Sequence, residues 1–181
     1  MLVHKVHEDH KGNKEHKVLK VYEGYWSHWR YARAGATGAT GATGAGLSQY
    51  GYIYNFAAQV VAVEAHILFD STGVTTAEII HTPGTPITIV ATAGDYEVTF
   101  SVSGVEPNQF TLFLNGSPIP FTVYGSGAGT QQNNGQAIIT LAAGDSLTLV
   151  NHTSAAAVTL QTLAGGTQVN VNASLVIKKL N

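Results

Sequence analysis

Histidine is the residue type with the clearest potential for chemistry in this sequence, and it is concentrated near the N-terminus. His4, His7 and His10 recur every three residues. In an extended helix with three residues per turn they would line one edge, and imidazole is a ligand that zinc, copper and nickel accept. No carboxylate or cysteine stands at a spacing that would complete a ligand set. Two interpretations stay open, a metal cluster and a solvated, pH-sensitive tail. We expect the tail, with no bound metal and no cofactor.

The other side chains that could act in catalysis form no recognisable constellation. His66, His81 and His152 are scattered singly, and the serines stand in polar or alternating contexts without a Gly-x-Ser-x-Gly elbow. The glycine-rich segment 125–129 carries no lysine and opens no helix, so it does not match a phosphate-binding loop. We therefore predict that the protein is not an enzyme.

Composition predicts a folded chain that covers much of its surface with small polar residues. Apolar residues make up 44% of the 181 positions and charged residues only 11%, so most of the chain is not disordered. It contains no cysteine and therefore no disulfide. We find neither an N-terminal secretory signal nor an apolar run near the roughly 20 residues of a membrane span, and we predict that both are absent.

The net charge of −2 hides a strong difference between the two parts of the chain. Residues 1–34 contain seven Lys or Arg against four acids, whereas residues 47–181 contain two Lys against seven acids. Their net charges are therefore +3 and −5. Nothing basic is large enough to neutralise many phosphates, so nucleic acid is a poor partner. A positive N-terminal part and a negative C-terminal part would instead attract each other.

A glycine repeat separates these two parts. Within residues 35–46, glycine recurs at every third position, as a collagen triple helix requires. A flexible linker is the alternative. Because the repeat is short and lacks proline, it cannot hold three chains together alone. The axial positions are Gly35, Gly38, Gly41 and Gly44, and the outward third positions are Thr37, Thr40 and Thr43.

Residues 1–34 form a basic, aromatic-rich segment that we call the connector. Val18, Tyr22, Tyr25 and Trp29 follow a coiled-coil spacing, although Gly24 interrupts it and residues 17–22 could equally form a strand. Either a local trimeric stem or docking into another trimer would bury its apolar side chains. Those side chains are Val18, Leu19, Val21, Tyr22, Tyr25, Trp26 and Trp29.

Residues 47–181 predict an all-β head. Short strands with alternating apolar residues are separated by turn signals such as Asn115-Gly116 and Gly144-Asp145. Segments 71–85, 104–109 and 125–135 are expected to be loops. The residues predicted to form the core or the contacts between copies are Tyr96, Val98, Phe100, Phe110, Leu112, Leu141, Leu147, Leu149, Leu175 and Ile177.

Two of these strand segments resemble a known superfamily. Segment 94–100 (GDYEVTF) is similar to the Gly-x-Tyr-to-Phe strand of the complement and tumour-necrosis-factor trimers, and segment 141–149 (LAAGDSLTL) is similar to their Gly-Asp hairpin. The resemblance implies a homotrimeric jelly-roll β-sandwich, here preceded by a short collagen-like stub and the connector.

A closer resemblance is to the BclA-type collagen-like glycoproteins of the Bacillus exosporium. It is carried by segments 105–110 (VEPNQF), 124–127 (YGSG) and 172–180 (NASLVIKKL), and it extends over residues 35–181. It implies a homotrimeric head on a spore-surface filament, with sugars possible on the stub threonines Thr37, Thr40 and Thr43. The stub is shorter than that family's stalk, and residues 1–34 do not match its targeting motif, so the anchoring partner stays unknown.

Together these observations predict a structural component of a spore-surface filament or appendage. Its homotrimers would stack head to tail through the connector. The alternative is a trimeric recognition or adhesion head at the tip of a spore or phage fibre. The predicted loops, rich in Gly, Thr, Asn and Gln, favour the structural role because binding surfaces are enriched in Arg, Trp and Tyr.

Overall fold

The computed structural model describes residues 49–181 and, before them, only the backbone pairing of two short strands. These strands, β1 (His7–Glu8) and β2 (Lys14–Glu15), are antiparallel. The chain divides into two compact units, Met1–Gly44 and Ala45–Asn181. The second unit, which we call the head, is described from residue 49 onward and contains every other element.

One sheet of the head has five antiparallel strands whose order differs from their order in the chain. The last strand along the chain lies in the middle of this sheet, between the first and the third of the other four strands, so the sheet is complete only once that strand has been inserted. Across the sheet the order is β12 (Gln132–Leu141), β8 (Gly94–Ser103), β15 (Ala173–Lys179), β3 (Tyr50–Asn55) and β5 (Ser71–Thr75).

The second large sheet has six strands. A small two-stranded sheet of β4 (Val60–Val61) and β14 (Val158–Thr159) accompanies it. The strand order of the six-stranded sheet is β10 (Ser117–Pro118), β9 (Asn108–Leu114), β13 (Ser146–Asn151), β7 (Thr88–Val90) and β6 (Ile79–His81), with β11 (Tyr124–Ser126) also paired to β9.

Helix is nearly absent from the described part of the chain. It consists of one 3₁₀ turn, Pro120–Thr122, within residues 49–181. None of the described helices is therefore long and apolar enough to cross a membrane. The all-β prediction for the head is confirmed.

The core lies between the two large sheets because side chains alternate along each strand. Along β8 every second residue, from Tyr96 to Val102, is buried, while the residues between them are partly exposed. The phenol of Tyr96 keeps its polar atom satisfied inside the core by donating a 2.7 Å hydrogen bond to the Thr92 carbonyl.

Turn geometry matches the turn residues in the sequence. Asn115 and Gly116, between β9 and β10, have φ angles of 50° and 80°, as a two-residue hairpin turn of the primed type requires. Gly144, between β12 and β13, has a φ of 89°. The hairpin predicted at Asn115-Gly116 is confirmed.

The predicted loops are partly wrong. Segment 71–85 contains β5 and β6, the segment predicted to end at residue 109 already includes the start of β9, and segment 125–135 contains parts of β11 and β12. Gly135 lies inside β12, opposite Phe100, whose ring occupies the space that a side chain at 135 would need. Here glycine makes room for an aromatic ring across the strand instead of forming a turn.

Candidate assembly surfaces

A row of aromatic rings covers part of the outer surface of the five-stranded sheet. Alternation along β3 turns Gly51, Ile53 and Asn55 inward and the residues between them outward. We call the outward row, with the residue that follows it, the tyrosine face; it consists of Tyr50, Tyr52, Tyr54 and Phe56. Tyr50 exposes 41% of its surface, and Tyr52 and Phe56 are similarly exposed.

The rings of the tyrosine face pack on one another. The Tyr52 and Tyr54 rings stack with centroids 5.0 Å apart, and the Tyr54 and Phe56 rings meet edge to face at 5.2 Å. Gly73 of β5 leaves room for the two tyrosine rings, since a Cβ there would contact both. The pKa of Tyr52 is raised mainly because its hydroxyl is partly buried, and the neighbouring Tyr54 raises it further. These contacts hold the row in place while one side of it remains open.

Part of the sheet surface beside this row is polar. Thr99 and Val176 lie beside Tyr52 in the register of β8, β15 and β3. Next to Tyr50, the Lys178 ammonium group lies 3.3 Å from the Glu97 carboxylate. The aromatic row is therefore a distinct apolar patch beside a polar surface, which is typical of a protein–protein contact.

A second apolar patch lies at the edge of the same sheet, where β12 has no neighbouring strand on its outer side among residues 49–181. We call this patch, formed by Phe121, Tyr124 and Ile138, the β12 edge. Ile138 is 66% exposed and Phe121 is exposed to a similar degree. The Tyr124 hydroxyl donates to the outward carbonyl of Gln136 over 2.8 Å, so part of the edge is capped by a side chain. An uncapped edge strand with an exposed Ile invites contact with another chain.

A groove follows this edge. It has a volume of about 410 Å³ and is lined by Tyr124, by residues 136–138 and by Glu97. Apolar rings of the size found on the tyrosine face would fit such a groove. Ile138 faces the same outer side of the sheet as the tyrosine face, and β8 and β15 separate it from Tyr50 in the register.

A polar groove of about 450 Å³ lies elsewhere on the head. It is lined by segments 107–109, 125–127 and 153–155. Near it, Nδ1 of His152 lies 2.7 Å from the Glu64 carboxylate, which also accepts a hydrogen bond from the Thr153 amide. The hydrogen bond to His152 is the main reason why the pKa of Glu64 is lowered.

The serine that follows shortly after His152 in the sequence is not bonded to this carboxylate–imidazole pair. The Ser154 hydroxyl accepts from the Gln109 amide over 2.8 Å and donates to the carbonyl of the same residue. It is therefore bonded to backbone rather than to His152. Within residues 49–181, no group of three or more His, Asp or Glu side chains could hold a metal ion.

The lone histidines of the head occupy separate environments. His81 is partly buried and links two strands, because Nδ1 lies 2.7 Å from the Thr72 hydroxyl and Nε2 lies 3.2 Å from the Thr85 carbonyl. His66 and His152 both meet the ring of Phe113 edge to face.

The ten residues predicted as core or contact positions all lie between the two sheets, each exposed by 1% or less. They are thus positioned to pack the core of one chain. Residues that make contact between copies must point outward, and none of the four residues of the tyrosine face is among the ten predicted positions. The signal was present as an aromatic residue at every second position from 50 to 56.

The sites predicted before residue 49 lie outside the described residues. They are the three N-terminal histidines as possible ligands, the glycine axis and threonines of residues 35–46, and the seven apolar connector positions between Val18 and Trp29. These remain predictions from the sequence.

Comparison with known proteins adds a fold but no family. No protein-family model matches the sequence, and no curated protein resembles it in sequence. Many solved structures resemble it in fold, among them the following three. The globular domain of zebrafish complement 1qA protein superimposes with a TM-score of 0.54 at 10% identity, covering 73% of this chain and 95% of that domain.

The other two are of similar closeness. Eiger TNF from S. frugiperda has a TM-score of 0.52 at 12% identity, covering 73% of this chain and 92% of its own. The PRD1 vertex protein P5 has a TM-score of 0.51 at 15% identity, covering 76% of this chain and all of its own. The head therefore has the jelly-roll fold of the tumour-necrosis-factor and complement C1q domains.

Proposed function

We propose that this chain is a structural component of a bacterial spore-surface filament or appendage, built from homotrimers that stack head to tail through the connector. The observation that carries the assembly role is the tyrosine face. Four adjacent aromatic side chains stay partly exposed in a head whose core is otherwise complete, and a contact with another copy would bury them.

The proposed trimer joins the two apolar patches. The tyrosine face of one copy packs against the β12 edge of the next, so that Ile138 and Tyr124 cover the aromatic row. Such a contact joins two different surfaces, and it forms a closed ring if the rotation between copies is one third of a turn. It would also cover the free edge of β12, which removes a site of uncontrolled pairing.

The surface location and the stacking rest on the sequence. The resemblance of residues 35–181 to collagen-like exosporium glycoproteins supports a place on the spore, where the heads would impose their trimeric state on the glycine stub that precedes them. The connector's charge of +3 and the head's charge of −5 favour contact between connector and head over contact between like parts.

Sedimentation velocity of the full chain tests the trimer. We expect the wild type to sediment as a species of three times the 19.0 kDa of one chain. Tyr52→Asp and Ile138→Asp should each shift it to monomers, because each places a carboxylate in the proposed contact. Ile80→Asp is the matched control, since Ile80 is exposed on β6 of the other sheet. A wild type that stays monomeric at micromolar concentration would refute the trimer.

Electron microscopy of the same preparations tests the filament. We expect thin fibres from the wild type and from Ile80→Asp, and none after deletion of residues 1–20. Fibres that persist after this deletion would show that the connector does not join the trimers.

One observation favours a second candidate function, a recognition head. The polar groove lined by Gln109, Ser126 and Thr153 presents amides and hydroxyls that could bind a sugar or a peptide. Glycan-array binding by the purified trimer, lost in Gln109→Ala, would support this role. Absence of binding, together with fibres, would leave the structural role.

A further inference from the structure

The head has two ends that differ in their connection to the rest of the chain. At the proximal end, the Lys179 amide donates to the Gln49 carbonyl over 2.8 Å, so the start of β3 and the end of β15 lie together. Residues 1–48 join the head at this end. The opposite, distal end consists of segments 56–59, 104–107, 127–131 and 161–171, where β3, β8 and β15 have their other termini.

Asn170 holds the longest distal segment, 161–171, through its backbone amide, which donates to the Thr162 carbonyl, and through its side chain. Nδ2 of Asn170 donates to the carbonyls of Gln161 and Val171, over 3.0 and 3.1 Å, and Oδ1 accepts from the Ala164 amide over 2.7 Å. The segment therefore has a defined shape, although it contains no strand.

This defined segment exposes apolar side chains. Leu163 is 52% exposed and Val169 is 59% exposed. Val105, also exposed, stands on the neighbouring distal segment, which is fixed because the Glu106 carboxylate accepts from the amide of Thr159 over 2.6 Å. Aliphatic groups on a firmly held backbone form a ready contact surface, because little ordering entropy is lost when a partner binds.

The distal end is also acidic. Glu64, Asp70 and Glu106 lie there, since they bond to residues at the distal termini of β13, β3 and β14. Both lysines within residues 49–181, Lys178 and Lys179, lie in the proximal part of β15, and this region contains no arginine. The described distal surface therefore carries three carboxylates and no Lys or Arg.

We infer that the distal surface, defined by Val105, Leu163 and Val169 together with the three carboxylates of the same end, is the docking site for the connector of a second copy. The connector complements this surface in two ways. Its net charge of +3 is opposite to that of the distal carboxylates, and its seven large apolar side chains, including Trp26 and Trp29, can cover the exposed aliphatic groups. This inference rests on the proposed head-to-tail function and identifies the receiving surface.

The polarity of the head explains why such docking would build a fibre. The connector is joined to the proximal end, whereas its receiving surface is distal, so each contact leaves one free connector and one free surface. A contact between different surfaces that does not close extends indefinitely. Because every distal surface is acidic, repulsion between like charges also disfavours contact between two distal surfaces.

The first test changes the receiving surface in the full chain. The double variant Leu163→Lys with Val169→Lys should remain trimeric by sedimentation but require at least about a hundredfold higher concentration to form fibres, because it exchanges two apolar contacts for charges that repel the basic connector. Ile80→Asp should form fibres like the wild type. Trimers of the double variant that form fibres at the wild-type concentration would overturn the docking site.

The second test identifies the occupant. A photo-crosslinking amino acid at position 163, in fibres grown from an equal mixture of light and heavy-nitrogen chains, should give light–heavy crosslinks that map within residues 1–34. The same group at position 80 should give none. Crosslinks from position 163 to any other segment would overturn the inference, even if trimers and fibres form as proposed. A monomeric wild type would instead refute the proposed function itself.

Discussion

The side-chain amides of Asn55 and Asn172 meet inside the head, where Nδ2 of Asn55 donates to Oδ1 of Asn172 over 2.8 Å. Both residues are about 1% exposed. Nδ2 of Asn172 also donates to the Ala57 carbonyl over 3.0 Å, so the pair ties the end of β3 to the start of β15. Because these polar groups are buried, removing one leaves its partners without compensation by water.

Asn172→Ala should therefore lower the free energy of unfolding by about 2 kcal/mol. Urea denaturation at one fixed protein concentration measures it, since unfolding of an oligomer depends on concentration. Thr167→Ala, an exposed change in the nearby distal segment, serves as the control and should leave the midpoint unchanged. Equal midpoints for Asn172→Ala and the control would mean that the amide pair does not stabilise the head.

Gly135→Ala should destabilise the head by about 2 kcal/mol through overpacking. A Cβ at residue 135 would contact the ring of Phe100 and lie 2.7 Å from Cδ2 of Tyr124. These two rings meet edge to face at 5.8 Å, so neither can move without losing that contact. Thermal unfolding followed by circular dichroism measures the loss. Gly127→Ala, where a Cβ would meet nothing within 4 Å, is the matched control. A wild-type melting temperature for Gly135→Ala would contradict the packing argument.

Asn115→Asp should lower the free energy of unfolding by about 1 kcal/mol near pH 7, and this loss should become smaller as the pH falls towards 4. Nδ2 of Asn115 donates to the Asp145 carboxylate over 2.8 Å, and this bond is the main reason why the pKa of Asp145 is lowered. An aspartate at 115 would place two carboxylates together, and protonation of one of them relieves the repulsion.

Melting temperatures of Asn115→Asp at about pH 7 and pH 4 check this expectation. Asn134→Asp changes the other Asn-Gly pair at an exposed position of β12 and should show no such pH dependence. A deficit for Asn115→Asp that is equal at both pH values would exclude carboxylate repulsion as its cause.

His81 should make the stability of the head fall as the pH drops below about 6.5. Burial lowers the pKa of His81, against a smaller opposing effect of the Thr85 carbonyl, so the folded head favours the neutral ring. Its contribution is therefore complete above the ordinary pKa of histidine and is lost as the pH falls through the lower folded value. The carboxylates with lowered pKa values, such as Glu64, lose their contribution only below about pH 4.5.

Urea midpoints between about pH 7.5 and pH 5 measure this loss. His81→Gln should reduce the pH dependence, because the amide can bond to Thr85 without taking up a proton. His66→Gln, at an exposed ring, should keep the wild-type dependence. If His66→Gln flattens the profile and His81→Gln does not, the assignment to His81 is wrong.

Local pattern was enough to predict much of the fold. The strict alternation around Tyr96 and Phe100 predicts a half-buried strand, and Asn115-Gly116 predicts a hairpin, because side-chain direction and positive φ depend on neighbouring residues alone. Asn134-Gly135 has the same turn signal, yet it lies within β12. Its glycine is explained by the ring of Phe100 across the sheet, a contact between residues far apart in the sequence.

Residue pattern is sufficient to predict an all-β head with a buried apolar set, preceded by a basic aromatic segment and a glycine repeat. Which exposed side chains lie together depends on how the strands are arranged in the folded head. Insertion of β15 between β3 and β8 brings Asn172 to Asn55, separates a proximal from a distal end, and gathers Val105, Leu163 and Val169 at the latter. The periodicity of the sequence predicts which face of a strand a residue occupies. The neighbours of that face depend on strand order, and strand order depends on pairing between segments more than a hundred residues apart.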